Sequence, residues 1–219
     1  MKLSKETINL FKNFSSINTN LLIEPGNNIS TKSAKKTILA DAVVAETFPV
    51  EFGIYDLNEF LGAMTLFESP ILEFEEKYVT ITEESNTNYS IRFYKAEKSV
   101  LVYKDKPITF PESYIDFDLS ASVLLNIQRS AAVLHADVVS VIGDGSQVTI
   151  QVGKQKQEAN SYQNIIGPTT KKFKVNILIE HFRMVPGDYA VSIHPKITRF
   201  KSSSDLVYYI AVETDSTFD

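Results

Sequence analysis

Phe48, Val50, Phe52 and Ile54 alternate with Pro49, Glu51 and Gly53, and Leu57 follows after two intervening residues. Phe173, Val175, Ile177 and Ile179 repeat that alternation, with Phe182 in the place of Leu57. A period of two turns every second side chain to one face, so each stretch reads as a half-buried strand that feeds a short helix. A helical pattern precedes each of them. Leu3, Thr7, Leu10, Phe11 and Phe14 recur at steps of three and four, which predicts an amphipathic helix over 3–17. Ser4 suits its cap, and Asn18 and Asn20 suit its exit turn. Residues 119–134 answer it, with Val123, Leu124, Ile127 and Ala131 inward. The chain reads as two copies of one supersecondary unit: helix, strands, strand–helix, strands.

Other strands are expected at 21–23 before a turn at 25–28, and at 37–44, 71–74, 78–82 and 89–94, with a short amphipathic helix over 55–67. In the second copy, 138–142 and 147–152 form a hairpin about Gly143 and Gly145, and strands follow at 189–193 and 206–212. Between the copies, the run from Lys104 through Pro107, Ile108 and Phe110 to Pro111 is too rich in proline for a central strand. This predicts a first domain over 1–103, a connector over 104–117 and a second domain over 118–219. A chain of 219 residues with 43% hydrophobic content can bury two cores of that size.

The outward stripe of the first helix carries Lys5, Asn9, Lys12 and Ser16, and that of the later helix carries Ser122, Asn126 and Arg129. Neither stripe contains a carboxylate. The formal net charge is −5, which argues against a protein coated in basic patches. The imbalance is local, because every charged residue from Glu51 to Glu84 is acidic except Lys77. An acidic body with cationic helices is compatible with nucleic-acid contact confined to one surface, and equally with no nucleic-acid contact at all.

Catalytic patterns are missing. No cysteine is present, which removes disulfides, thiolate metal sites and cysteine nucleophiles. His135, His181 and His194 have no metal-ligand spacing, and no nucleophile elbow or phosphate-loop pattern occurs. Residues 167–172 lack the glycine spacing of a phosphate loop and read as an exposed basic loop. No catalytic residue, metal ligand or cofactor is therefore assigned. The N-terminus has no apolar core of a signal peptide and no apolar run reaches membrane-spanning length, so a soluble cytoplasmic protein without membrane contact is expected.

The opening Met1-Lys-Leu-Ser-Lys-Glu-Thr, with Leu10-Phe-Lys-Asn-Phe14 and Ile17-Asn18, resembles the start of the sliding clamps of T4-type bacteriophages. Ile54-Tyr-Asp-Leu-Asn-Glu-Phe-Leu-Gly62, Lys106-Pro-Ile-Thr-Phe-Pro111, Met184-Val-Pro-Gly-Asp-Tyr189 and Glu213-Thr-Asp-Ser-Thr217 are similar to the same family in the same order. The resemblance implies an α+β fold of two similar DNA-clamp-type domains, with antiparallel sheets outside and two inner helices in each, closing into a trimeric ring. It implies a non-enzymatic processivity factor that encircles duplex DNA, tethers the replicative DNA polymerase and is placed by an ATP-driven clamp loader. It also implies work in the cytoplasm of an infected bacterial host, and partners among late-transcription factors. By the same resemblance Lys5, Lys12, Arg129 and Arg183 face DNA, while Asn126 stands where the family tends to carry a basic residue. Pro107, Ile108, Phe110 and Pro111 form one wall for partner peptides. The competing reading is a phage structural or assembly protein built of β-domains, whose assembly would be indifferent to DNA.

Overall fold

Ser4 ends the extended lead-in and caps the first helix, α1 (Lys5–Ile17), its hydroxyl accepting the Thr7 amide at 3.2 Å. The structure, a computed structural model, describes residues 1–155 and 159–219. The chain divides into two compact units, Met1–Pro107 and Ile108–Asp219.

In the first unit α1 is followed by β1 (Leu21–Ile23), β2 (Gly26–Lys32), β3 (Ile38–Phe48), β4 (Phe52–Ile54), α2 (Leu57–Met64), β5 (Pro70–Phe74), β6 (Tyr78–Glu83) and β7 (Asn86–Tyr94). Two antiparallel sheets result, in the orders β4-β1-β2-β3 and β5-β6-β7. The helices α1 and α2 pack side by side, and α1 also lies on β2 and β3. Phe11, Phe14, Phe48, Phe52, Leu57 and Phe60 fill the space between helices and sheets.

The second unit runs β8 (Ile115–Leu119), α3 (Ala121–Leu134), β9 (Val138–Asp144), β10 (Gln147–Gly153), β11 (Tyr162–Pro168), β12 (Lys172–Leu178), β13 (Tyr189–His194), β14 (Ile197–Lys201), β15 (Val207–Ala211) and β16 (Thr217–Phe218). Its sheets are ordered β11-β10-β9-β12-β16 and β15-β14-β13-β8. The units share one topology, and each contains that pattern twice. A strand, a helix and three strands occur as β8-α3-β9-β10-β11, and again from β12 to β15 around a single 3₁₀ turn (Ile179–His181). In the first unit Met1 occupies the position of that opening strand. Its ammonium donates to the Leu72 carbonyl at 2.6 Å and its carbonyl accepts the Leu72 amide at 2.7 Å. That is the position on β5 that β8 takes on β13, where Leu119 pairs with Tyr189.

The segment after β7 in the first unit, and that after β15 in the second, covers an open sheet edge. Ala96 donates to the Gly53 carbonyl of β4 at 2.8 Å, and a Cβ on Gly53 would lie 2.4 Å from the Ala96 carbonyl oxygen, so only glycine fits. In the second unit Glu213 donates to the Asn176 carbonyl at 2.9 Å, and β16 pairs with β12 through Phe218 and Phe173.

Several sequence expectations change. The stretch from Phe48 to Ile54 is two strands: Phe48 ends β3, Phe52 begins β4, and Val50 is exposed between them. Pro49 supplies no N–H to continue the ladder. The second copy keeps one strand there, β12, but the helix expected after it is the 3₁₀ turn, because Pro186 and Gly187 follow too soon for a longer helix. Strands β2, β8, β11, β14 and β16 have no counterpart in the sequence pattern, and residues 167–172 are not one loop, since Gly167 and Pro168 end β11 and Lys172 begins β12. One acid of the run from Glu51 to Glu84 is a structural anchor. The Glu83 carboxylate is buried and accepts the amides of Glu68 at 2.8 Å, Ser69 at 3.1 Å and Glu84 at 3.2 Å. Among the described residues no helix is long and apolar enough to cross a membrane.

Glu46 on β3 reaches across to the start of α1, accepting the Ser4 amide and, at 2.5 Å, the Thr7 hydroxyl. Burial pushes its carboxyl up, but the hydrogen bonds from Thr7 and Ser4 outweigh that and hold it below the usual glutamate value. A depressed carboxylate pKa contributes stability above the unfolded-state value and loses it as pH falls through the folded value. Glu46→Gln is therefore expected to cost about 1 to 2 kcal/mol at neutral pH. The gap between variant and parent should close as pH drops below about 4.3. Urea unfolding at neutral and acid pH measures both.

Candidate nucleic-acid interface

Burial decides which way each cationic helix faces. In α1 the residues Thr7, Leu10, Phe11, Phe14 and Ile17 are buried, which leaves Lys5, Asn9, Lys12 and Ser16 exposed along the opposite side. Lys5 and Lys12 stand about 10 Å apart along the axis, two turns of helix. In α3 the Ser120 hydroxyl accepts the Val123 amide at 3.4 Å, and the Asp188 carboxylate accepts the Ala121 amide at 2.7 Å. Leu124, Ile127 and Ala131 are buried, and Ser122, Asn126 and Arg129 are exposed. No described carboxylate forms an ion pair with Lys5, Lys12 or Arg129.

Arg183 is brought to α3 by the chain that follows the 3₁₀ turn. The Gln128 side-chain amide donates to the carbonyls of Phe182 at 3.4 Å and Met184 at 3.5 Å, which holds Arg183 beside the helix that carries Arg129. Arg183 is exposed, and its Nε donates to the Glu180 carbonyl at 2.7 Å. The second helix of the first unit has another character. Its cap is Asp56, whose carboxylate accepts the Asn58 amide at 2.9 Å, and its exposed side carries Asn58, Glu59 and Gly62 without a base. The cations of the first unit's helical layer are thus on α1. Mobile ammonium and guanidinium groups in such exposed positions suit phosphates and read no base edge.

The residues around Pro107 divide between the units. In the first, Lys104 Nζ meets both Asp41 carboxylate oxygens at 2.5 Å, with the lysine side chain only 12% exposed. In the second, the Phe110 ring lies 6.4 Å from that of Tyr209 and 4.6 Å from the Arg199 guanidinium carbon. Ser113 then donates to Asp116 at 2.6 Å, and Tyr114 donates to the Ile193 carbonyl at 2.6 Å, where β8 takes over. Ile108 and Phe110 are half-buried, whereas Pro107 and Pro111 are exposed. Sequence reasoning named Phe110 but missed Arg199, Tyr209 and Asp41, which only the register of distant strands brings to it or to Lys104.

Among the strand edges left open within their own units are those of β7 and β11. β7 pairs with β6 alone, and β11 pairs with β10 alone. They expose Tyr89 and Tyr94 on β7 and Ile165 on β11. Among the described residues no group of three His, Asp or Glu could hold a metal ion.

The DNA polymerase processivity factor family matches residues 4–103 of this chain. A sliding clamp of Vibrio phage KVP40 is 32% identical to it across 97% of this chain and 99% of the relative. The sliding clamp of Enterobacteria phage T4 is 28% identical across the full length of both. Among solved structures, a Helicobacter pylori beta clamp bound to a DNA ligase peptide superposes with a TM-score of 0.66 at 10% identity, over 100% of this chain and 68% of that one.

Because Lys5, Lys12 and Arg129 are exposed and bear no structural ion pair, Glu at each position should leave the unfolding free energy within about 0.5 kcal/mol of the parent. Urea melts of the three single variants check this, and a larger loss would place the side chain in a packing role.

Proposed function

The chain belongs to the DNA polymerase processivity factors, the sliding clamps of T4-type phages, and on that footing we propose that three copies close into a ring around duplex DNA. The ring tethers the replicative polymerase to its template. The observation that carries this reading is the pairing of a repeated unit with a repeated cationic stripe: Lys5 and Lys12 on α1, Arg129 on α3 with Arg183 beside it. Repeated wedges of one topology close evenly around an axis. Contacts limited to phosphates hold DNA without stopping it, and a net charge of −5 discourages binding anywhere but at the cationic stripes. Retention is then topological, and direct affinity is weak and salt-dependent.

The open edges of β7 and β11 support subunit closure, because each offers unpaired backbone groups beside exposed apolar side chains. In functional terms the chain divides into 1–103, a connector over 104–117, and 118–219. Pro107, Ile108, Phe110 and Pro111 of that connector form a wall for partner peptides, a reading supported by the packing of Phe110 on a rigid sheet. A peptide held by the Helicobacter pylori relative is in keeping with this mode. Loading is by an ATP-driven clamp loader, the partners extend to late-transcription factors, and the protein acts without catalysis in the cytoplasm of the infected bacterium.

Mass measurement in solution should find a trimer, and polymerase run length with loader and ATP should rise several-fold on adding the protein. Unchanged product lengths would overturn the clamp reading. The triple variant Lys5→Glu, Lys12→Glu, Arg129→Glu should remain trimeric yet load poorly, with the defect largest at low salt and narrowing as salt rises. Loss of the trimer instead would place those residues at a subunit interface.

A further inference from the structure

Among the described residues several half-buried cations are matched by acids. Lys104 is paired with Asp41, and Lys32, at 15% side-chain exposure, lies 3.5 Å from Asp105. Arg199 on β14 is half-buried and forms no ion pair with any described acid. Its Nη2 donates to the neutral Ser192 hydroxyl at 2.9 Å, its face is covered by the Phe110 ring, and its Nε is buried with no acceptor. Asp116, opposite Ser192 in the ladder, has its carboxylate engaged by Ser113. Partial burial of a guanidinium without a countercharge is costly, and five rigid donors can receive a carboxylate.

We infer that Arg199 binds a carboxylate of the partner peptide that docks at the connector, with Phe110 and Tyr209 taking the adjoining apolar side chain. The inference rests on the connector being a peptide-docking wall and adds the polar anchor of that site. Lys201 lies two residues along β14, on the same face as Arg199. Nucleic acid fits less well. Asp116 and Asp118 stand on the same face at the neighbouring registers, opposite Ser192 and Ala190, where a polyanion would meet them. A single carboxylate beside an apolar side chain meets the aromatic pair and the guanidinium together.

The test uses the full-length ¹⁵N-labelled protein and three probes: acetyl-Leu-Phe with a free carboxylate, its amide, and acetyl-Glu-Phe-amide. The readout is the Arg199 Nε–H signal, which burial protects from exchange with water. The free acid should shift that signal and saturate, while acetyl-Leu-Phe-amide should leave it in place. A shift with acetyl-Glu-Phe-amide as well would show that a side-chain carboxylate serves equally, and its absence would restrict the site to a chain terminus. Affinity for the acid should fall roughly ten-fold in Arg199→Gln and be partly kept in Arg199→Lys, which retains charge without the planar fork. If the acid leaves the Nε–H signal unmoved, or binds Arg199→Gln as well as the parent, the inference is wrong. Polymerase run length separates this from the broader reading. Full stimulation by Arg199→Gln with unchanged peptide affinity sinks only the carboxylate anchor, whereas no stimulation by the parent protein sinks the clamp.

Discussion

Everything functional about this protein depends on the burial of one side of α1 against the first unit's sheets. Phe11 and Phe14 are fully enclosed, and removing such side chains from water contributes about 1.5 to 3 kcal/mol each. Rotating the helix by half a turn would expose both rings and drive Lys5 and Lys12 into the core without carboxylates to meet them. The apolar face therefore sets where the cations stand. In α3 the same logic works through Leu124 and Ile127, both at 0% exposure, and it leaves Arg129 outside. The strong and nonspecific force of apolar burial thus decides which side of each helix is left to solvent.

Polar contacts across long sequence separations then lock these elements in register. Glu46 ties the start of α1 to β3, and Asp188 does the same for α3 from the loop before β13. Both carboxylates sit at helix N-termini, where amides lack internal acceptors and the helix dipole favours negative charge. The exposed pairs Lys2–Glu84 and Lys98–Glu51 are worth far less, because water screens them and two long side chains must be held. Lys104 with Asp41 is the ion pair that matters for the connector, since it is short, two-pronged and mostly shielded.

The internal repeat is deeper than a comparison of the two halves indicates. Each unit holds the strand–helix–three-strand pattern twice, and divergence has eroded it at two points, Met1 on β5 and the 3₁₀ turn after β12. The second has a local cause, a proline–glycine pair too close behind β12. The turn still delivers Arg183 to α3, so the position outlasts the helix.

Helical periodicity and capping chemistry were decided within the sequence. Ser4, Asp56 and Ser120 each cap the helix that follows, and steps of three and four separate the buried face from the cationic one, because these effects act over neighbouring residues. The duplication and the absence of catalytic patterns were legible for the same reason. Strands β2 and β11 were not, as their polar or exposed residues become strand only when β3 and β10 supply hydrogen-bond partners. The stretch from Phe48 to Ile54 carried a strand's period and yet split, since pairing partners outrank local alternation. Only the tertiary structure placed Arg199 and Tyr209 beside Phe110, and Glu46 at Ser4, because those meetings depend on strand register and sheet packing that no short window of residues encodes.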